Sequence, residues 1–249
     1  MRQLRSSISI IILSLFCPTT FSQTFTSTTK PIQLIELYTS EGCSSCPPAD
    51  KWLNKLRFHP KLWSDFIPVA FHVDYWDYIG WHDPFASKQF SLRQRQYARE
   101  SNLSSVYTPA MLVNGVEWTS WRRQSRLKLS SISSNTGTLS VRLNNGKISA
   151  HYQPTEPQAS GLVLNVAILG FDIESKINAG ENNGRTFNHD FIVLGFQRLA
   201  MEIIEDGSFS ATLEQLPTLS QQSTKLAIST WVNSEESLTP LQTTGGWIK

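Results

Sequence analysis

Two cysteines two residues apart stand where an apolar run gives way to an amphipathic one, in Glu41-Gly42-Cys43-Ser44-Ser45-Cys46-Pro47-Pro48. No other stretch constrains the fold as strongly. Pro31 to Tyr38 is an apolar run of strand length, and Ala49 to Arg57 carries Trp52, Leu53 and Leu56 at helical spacing, so the spacing predicts a strand, a short loop and a helix. Pro47 and Pro48 suit a first helical turn, whose amides have no intrahelical acceptor. Cys43 then meets the unpaired amides and partial positive charge of a helix N-terminus, which favour thiolate over thiol. A disulfide closing about four residues restrains the unfolded chain by only about 2 kcal/mol, against about 4 to 5 kcal/mol for a loop of a hundred. A reversible dithiol fits this spacing better than a staple.

Such a dithiol works by thiol–disulfide exchange: Cys43 attacks, and Cys46, one helical turn later, resolves the mixed disulfide. The alternative is an inert bridge or a pair of buried thiols. Neither Ser44 nor Ser45 is charged, so nothing local points to an extreme reduction potential.

Residues 1–22 read as a secretory signal: Arg2 and Arg5 precede an apolar run from Ile8 to Phe16, and Thr20 and Ser22 offer small residues before Gln23. The run is too short to span a bilayer, and no later stretch reaches 18 apolar residues. Cys17 falls inside the segment expected to be removed. The predicted location is periplasmic or secreted, where disulfides persist. The chain's 22 Lys and Arg against 20 Asp and Glu become balanced once Arg2 and Arg5 are lost, which argues against a nucleic-acid partner. A charged fraction of 17% with 40% apolar residues excludes a disordered chain and allows one or two ordinary cores.

Beyond the cysteine helix, Asp65 to Asp74 predicts a second strand, joined to the first through a helical crossover. An aromatic loop from Tyr75 to Pro84 and a polar helix over Phe85 to Asn102 follow. Val106 to Val113 then leads into Asn114-Gly115, a strong hairpin signal, and a further helix is expected over Trp121 to Ser133. From Asn135 the pattern changes to short strands and turns, at Thr138 to Leu143, Lys147 to Tyr152, Leu162 to Phe171, Asp190 to Ile204, Ser208 to Leu213 and Lys225 to Val232. The expected architecture is an α/β thioredoxin-like domain over residues 23–134, followed by an all-β immunoglobulin-like sandwich domain over residues 135–249. In such an order Thr108-Pro109 enters the strand beside the dithiol, where a cis proline would shape a groove for an extended substrate. The plain alternative is a trans proline starting a strand.

Four separated segments, LIELYTSEGCSSCPPAD, FHVDYWDYIGWHDPF, VYTPAMLVNG and INAGENNGRTFNHDFIV, resemble in order the exported thioredoxin-like proteins grouped as domain of unknown function 1223. The resemblance covers residues 32 to about 200. It implies a thioredoxin-like domain with a CxxC and a following β-sandwich, and it implies no established substrate.

Further candidates surround the dithiol. Glu36 is a proton-transfer candidate, although it lies one residue from the position where classical thioredoxins carry a buried carboxylate, which here is Leu37; a paired or edge carboxylate is the alternative. Trp76, Trp81 and Thr108 are expected to contact substrate, since amphipathic aromatics suit an unfolded peptide. His72, Asp74, Asp77, His82 and Asp83 cluster after the second strand, and His72 and Asp74 are read as anchors of the loop by hydrogen bonds. Lys88, Arg93, Arg95 and Arg99 read as a solvated helix face, and Gly180 to Arg185 as a turn-rich loop that could dock the two halves. Asn102-Leu103-Ser104 has the form of a glycosylation acceptor.

The function expected is an exported thiol–disulfide oxidoreductase acting on protein thiols or disulfides together with a redox partner, with Cys43, Cys46, Pro109 and Glu36 as the catalytic set. No metal or other cofactor is expected. The alternatives are a noncatalytic protein in which Cys43 and Cys46 with His72 or His82 hold a soft metal, and a partner-binding module on an inactive scaffold.

Overall fold

The computed structural model describes residues 22–101, 105–123, 127 and 134–249. The signal segment up to residue 21, Cys17, the Asn102-Leu103-Ser104 acceptor and most of the helix expected over Trp121 to Ser133 lie outside the described residues. In chain order the first half comprises β1 (Ser22–Thr26), β2 (Gln33–Thr39), α1 (Pro47–Asn54), β3 (Phe66–His72), α2 (Lys88–Glu100), β4 (Ala110–Val113) and β5 (Val116–Glu117). The second half is all strand apart from one 3-10 turn. It comprises β6 (Gly137–Asn144), β7 (Lys147–Pro154), β8 (Leu162–Gly170), β9 (Ile173–Lys176), β10 (Thr186–His189), β11 (Ile192–Ala200), β12 (Glu202–Ile203), β13 (Phe209–Leu213), β14 (Leu226–Ser234) and β15 (Gln242–Trp247).

The expected α/β thioredoxin-like domain followed by an immunoglobulin-like sandwich domain is corrected by this arrangement. Strands hold 42% of the described residues and helices only 18%, and strands from both halves join one eight-stranded sheet in the order β15-β14-β8-β11-β3-β2-β4-β5. The seam is β3 against β11: the two run parallel with Ile192 opposite Ala70, and Ala70 N donates to Phe191 O at 2.9 Å. Every residue of β3 is buried, so both its edges require a strand partner. β2 supplies one and β11 the other. Hydrophobic periodicity reports that a strand is buried and carries no information on which strand lies beside it.

The second sheet, β1-β6-β7-β13-β12, packs on one face of the first. All nine residues of β8 are buried, and strand alternation divides them. Leu162, Leu164, Val166 and Ile168 meet Leu139, Val141, Leu143, Ile148 and Tyr152 of the five-stranded sheet. Ala167 and Leu169 turn to the opposite face and join Leu34, Leu37, Leu53, Phe71 and Trp231. β8 is therefore the element on which the two cores meet.

Helix α2 departs from its expected solvated face at one residue. Arg93 is buried, and its Nε and Nη2 donate to Glu36 Oε2 and Oε1 at 2.8 and 3.1 Å. The hydroxyls of Tyr97 and Tyr38 lie 2.5 and 3.0 Å from the same carboxylate, and the guanidinium sits 5.2 to 5.8 Å from the ring centres of Tyr97, Trp231, Phe71 and Phe196. Burial alone would lower the Arg93 pKa, but Glu36 raises it above its ordinary value. This group fixes α2 to the centre of the sheet.

Candidate functional site

Thr39 ends β2, and the chain turns through Ser40 to Cys46 into α1. Cys43 N donates to Ser40 O at 3.2 Å, Cys46 N to Cys43 O at 3.2 Å, and Ala49 N to Cys46 O at 2.8 Å. Cys46 is the N-cap residue and Pro47 opens the helix, as the missing proline amide predicts. Cys43 and Cys46 are joined in a disulfide with their Cα atoms 5.4 Å apart. Both residues have zero exposure, whereas Ser44 and Ser45 between them are exposed.

The cover comes from far along the chain. Asn182, itself fully buried in a 3-10 turn over Gly180–Asn182, donates through Nδ2 to Glu41 O at 2.8 Å and Cys43 O at 3.1 Å. Its Oδ1 accepts from Arg185 Nη1 at 2.9 Å, and Glu181 Oε2 accepts from Ser44 N at 3.2 Å. Gly180 has φ +69, and a side chain there would also approach Trp81 Cβ at 3.3 Å, so glycine serves both the turn and the close approach. The turn-rich loop read from the sequence thus lies directly on the cysteine loop.

The expected substrate contacts are drawn into the same frame. Trp76 Nε1 donates to Thr108 Oγ1 at 2.7 Å, and Trp76 Cβ would lie 3.1 Å from a Cβ added at Gly42. Trp81 Nε1 donates to Glu41 Oε2 at 2.8 Å. Thr108–Pro109 is cis, and because Ala110 pairs with Tyr38, Pro109 stands level with the end of β2. Cys43, Cys46, Trp76, Trp81, Thr108 and Pro109 therefore gather around one loop. Glu36 does not join them: its carboxylate is taken up by Arg93, Tyr97 and Tyr38 in the core.

Sequence reasoning grouped His72 and Asp83 but did not join Asp50, Glu41 and His189 to them, and these five form a buried acid–base cluster behind this loop. Thr39 pairs with His72 across β2 and β3, and Thr39 Oγ1 donates to Asp50 Oδ2 at 2.9 Å. His72 Nδ1 is 2.7 Å from Asp83 Oδ2, which also accepts from Glu41 N at 2.8 Å. His189 Nε2 is 3.0 Å from Glu41 Oε1, and Asn54 Nδ2 donates to Asn188 O at 2.7 Å, holding β10 against α1. Burial pushes the Asp50 carboxyl up, against the pull of the two imidazoles. For His72, burial is outweighed by Asp83 and neighbouring carboxylates, which raise the imidazole. Burial is likewise outweighed at Asp83, where His72 and two backbone amides hold the carboxyl below its ordinary range. His189 belongs to the motif segment Phe187-Asn188-His189-Asp190, which was the only sequence signal for it.

Of the residues considered for a metal from the sequence, His72 faces Asp83. The cysteine sulfurs are bonded to each other, and His82, largely exposed, pairs with Asp77 at 2.6 Å.

The fold and site define a β-rich protein of an eight-stranded, a five-stranded and a two-stranded sheet, with a covered CxxC disulfide at a strand–helix turn. The chain belongs to the DUF1223 family of proteins of unknown function, whose profile matches residues 34–232. Two solved structures are similar. One is a crystal structure of an Agrobacterium tumefaciens protein from a structural genomics programme, 20% identical, with a TM-score of 0.57, covering 89% of this chain and 94% of that one. The other is HBP35 of Porphyromonas gingivalis, 13% identical, with a TM-score of 0.57, covering 88% of this chain and 76% of that one. At these identities the likeness concerns the fold alone. No curated protein matches the sequence significantly. Among the described residues no helix is long and apolar enough to cross a membrane.

Proposed function

We propose that this chain is an exported thiol–disulfide oxidoreductase acting on protein thiols or disulfides. The observation that carries the reading is the Cys43–Cys46 disulfide at the N-terminus of α1, covered by a loop instead of being buried in an apolar core. In the reducing direction the Cys43 thiolate attacks a substrate disulfide, forming a mixed disulfide and releasing one substrate thiolate. The Cys46 thiolate then attacks Cys43 Sγ, releasing the second substrate thiolate and restoring the protein disulfide, so two electrons pass to the substrate. A dithiol or disulfide partner resets the pair, and the reverse sequence oxidises a substrate dithiol. Pro109, Thr108 and Trp76 stand beside the loop and are the surfaces against which an extended peptide would lie.

A redox titration in glutathione buffers, read by a thiol-reactive mass tag on Cys43 and Cys46, tests this reading. A reversible two-electron transition is expected, and Cys46→Ser should trap a mixed disulfide at Cys43 that Cys43→Ser cannot form. A pair that stays oxidised in the most reducing buffer would overturn it.

A further inference from the structure

Asp50, His72 and His189 each bring one ligand-capable atom to within 4.8 Å of the others. Both imidazoles are held from behind by a buried carboxylate: Asp83 at His72 Nδ1 and Glu41 at His189 Nε2. That leaves His72 Nε2 and His189 Nδ1. His72 Nε2 is fully buried and has no hydrogen-bond partner among the described residues, a costly condition for a polar atom. A carboxylate on one ring nitrogen with the other turned inward is the arrangement that orients metal-ligating histidines.

We propose that Asp50, His72 and His189 bind a first-row divalent cation, zinc in the first instance, through one carboxylate oxygen and two imidazole nitrogens, with Asp83 and Glu41 as the positioning residues. The donor set suits a borderline cation and not calcium or magnesium, which prefer oxygen alone. Ligand atoms on a tetrahedral zinc with bonds of about 2.0–2.1 Å lie about 3.3 Å apart, so the cluster closes by at most about 1.5 Å through side-chain rotation. Asp50 and His189 also line a cavity of about 120 Å³ with Pro47, Lys51, Asn54 and Phe187. That cavity, beside Asp50 and His189, would give water or an exogenous ligand access to a bound cation.

The cysteines take no part in this site, and the test uses that. The full chain with its disulfide intact is titrated with Co²⁺ and then Zn²⁺. One Co²⁺ per chain is expected, with visible absorption lacking a sulfur-to-cobalt charge-transfer band, and with displacement by Zn²⁺. Asp50→Asn and His189→Gln should each weaken binding at least tenfold, and His72→Ala at least a hundredfold, in variants that circular dichroism shows to be folded. Asp83→Asn should weaken it about 10- to 100-fold, the effect of losing an orienting partner. Because His72 and Asp83 are almost wholly enclosed, the partly buried Asp50 and His189, which is buried but lines the cavity, carry the decisive comparison. Absence of saturable binding by the folded chain, affinity unchanged in the Asp50→Asn, His189→Gln double variant, or a sulfur charge-transfer band would overturn the proposal.

Discussion

Replacing Asn182 with alanine is expected to speed reduction of the Cys43–Cys46 disulfide by dithiothreitol roughly 10- to 30-fold while leaving the folded structure in place. In the native chain both cysteines have zero exposure, so a thiolate reaches either sulfur only when the loop from Gly180 to Arg185 lifts away. Asn182 holds that loop down with two hydrogen bonds from its Nδ2, to Glu41 O and Cys43 O. Each such bond contributes about 1 kcal/mol, and 1.4 kcal/mol is a factor of ten in an equilibrium. Truncation also leaves Glu41 O buried without its side-chain donor, while Cys43 O keeps the bond from Cys46 N, and the loss at Glu41 further favours the open form. Glu181→Gln should accelerate reduction less than about threefold, because the hydrogen bond it weakens, to Ser44 N, is exposed to competing water. An Asn182→Ala chain that melts like the native one and is reduced at the native rate would show that the loop is not the barrier.

The largest loss of stability is expected from Arg93→Met. It removes the cation paired with Glu36 and leaves a buried carboxylate with two tyrosine hydroxyls. Breaking a buried pair from one side costs about 3–5 kcal/mol, a large share of the roughly 5–15 kcal/mol that holds an ordinary domain together. Urea unfolding should show a lower midpoint with an unchanged slope. Adding Glu36→Gln to Arg93→Met should recover at least half of the loss, since the stranded charge, and not the missing contact, dominates it. A single variant destabilised by less than about 1 kcal/mol would contradict this account, on the same scale of buried-pair costs.

Local elements were legible wherever the determinants lie within a few residues. The strand–loop–helix around the cysteines is one example. The turns at Asn114-Gly115 and Asn145-Gly146 are others, with both residues of each at positive φ. β1 was not legible, because Ser22 to Thr26 carries one large apolar side chain, Phe25, and pairs only because the edge of β6 is free to accept it. β15 was not legible either: Gln242-Thr243-Thr244-Gly245-Gly246-Trp247 has neither alternation nor bulk, and it is a strand because β14 lies beside it. The single eight-stranded sheet depends on the pairing of β3 with β11, which no local pattern encodes. Arg93 is a clear failure of composition as a guide: on a polar helix it reads as solvated, and only the distant Glu36 explains its burial. In the candidate site the cysteines were legible and their cover was partly so, as a turn-rich loop that could dock one half on the other. The acid–base cluster joins side chains from α1, β3 and β10, so proximity could not be inferred from spacing.

The cover over the disulfide is made late. Asn182 lies 139 positions beyond Cys43, and at a synthesis rate of about 5–20 residues per second that separation amounts to roughly 7 to 28 s of elongation. Throughout that interval a nascent chain presents its two thiols without the loop that later shields them. The oxidation state carried into the finished protein is thus set during emergence of the chain, by whichever oxidant meets the thiols first. Once the last strands have closed the sheet, the same chemistry passes through the slower opening of the loop.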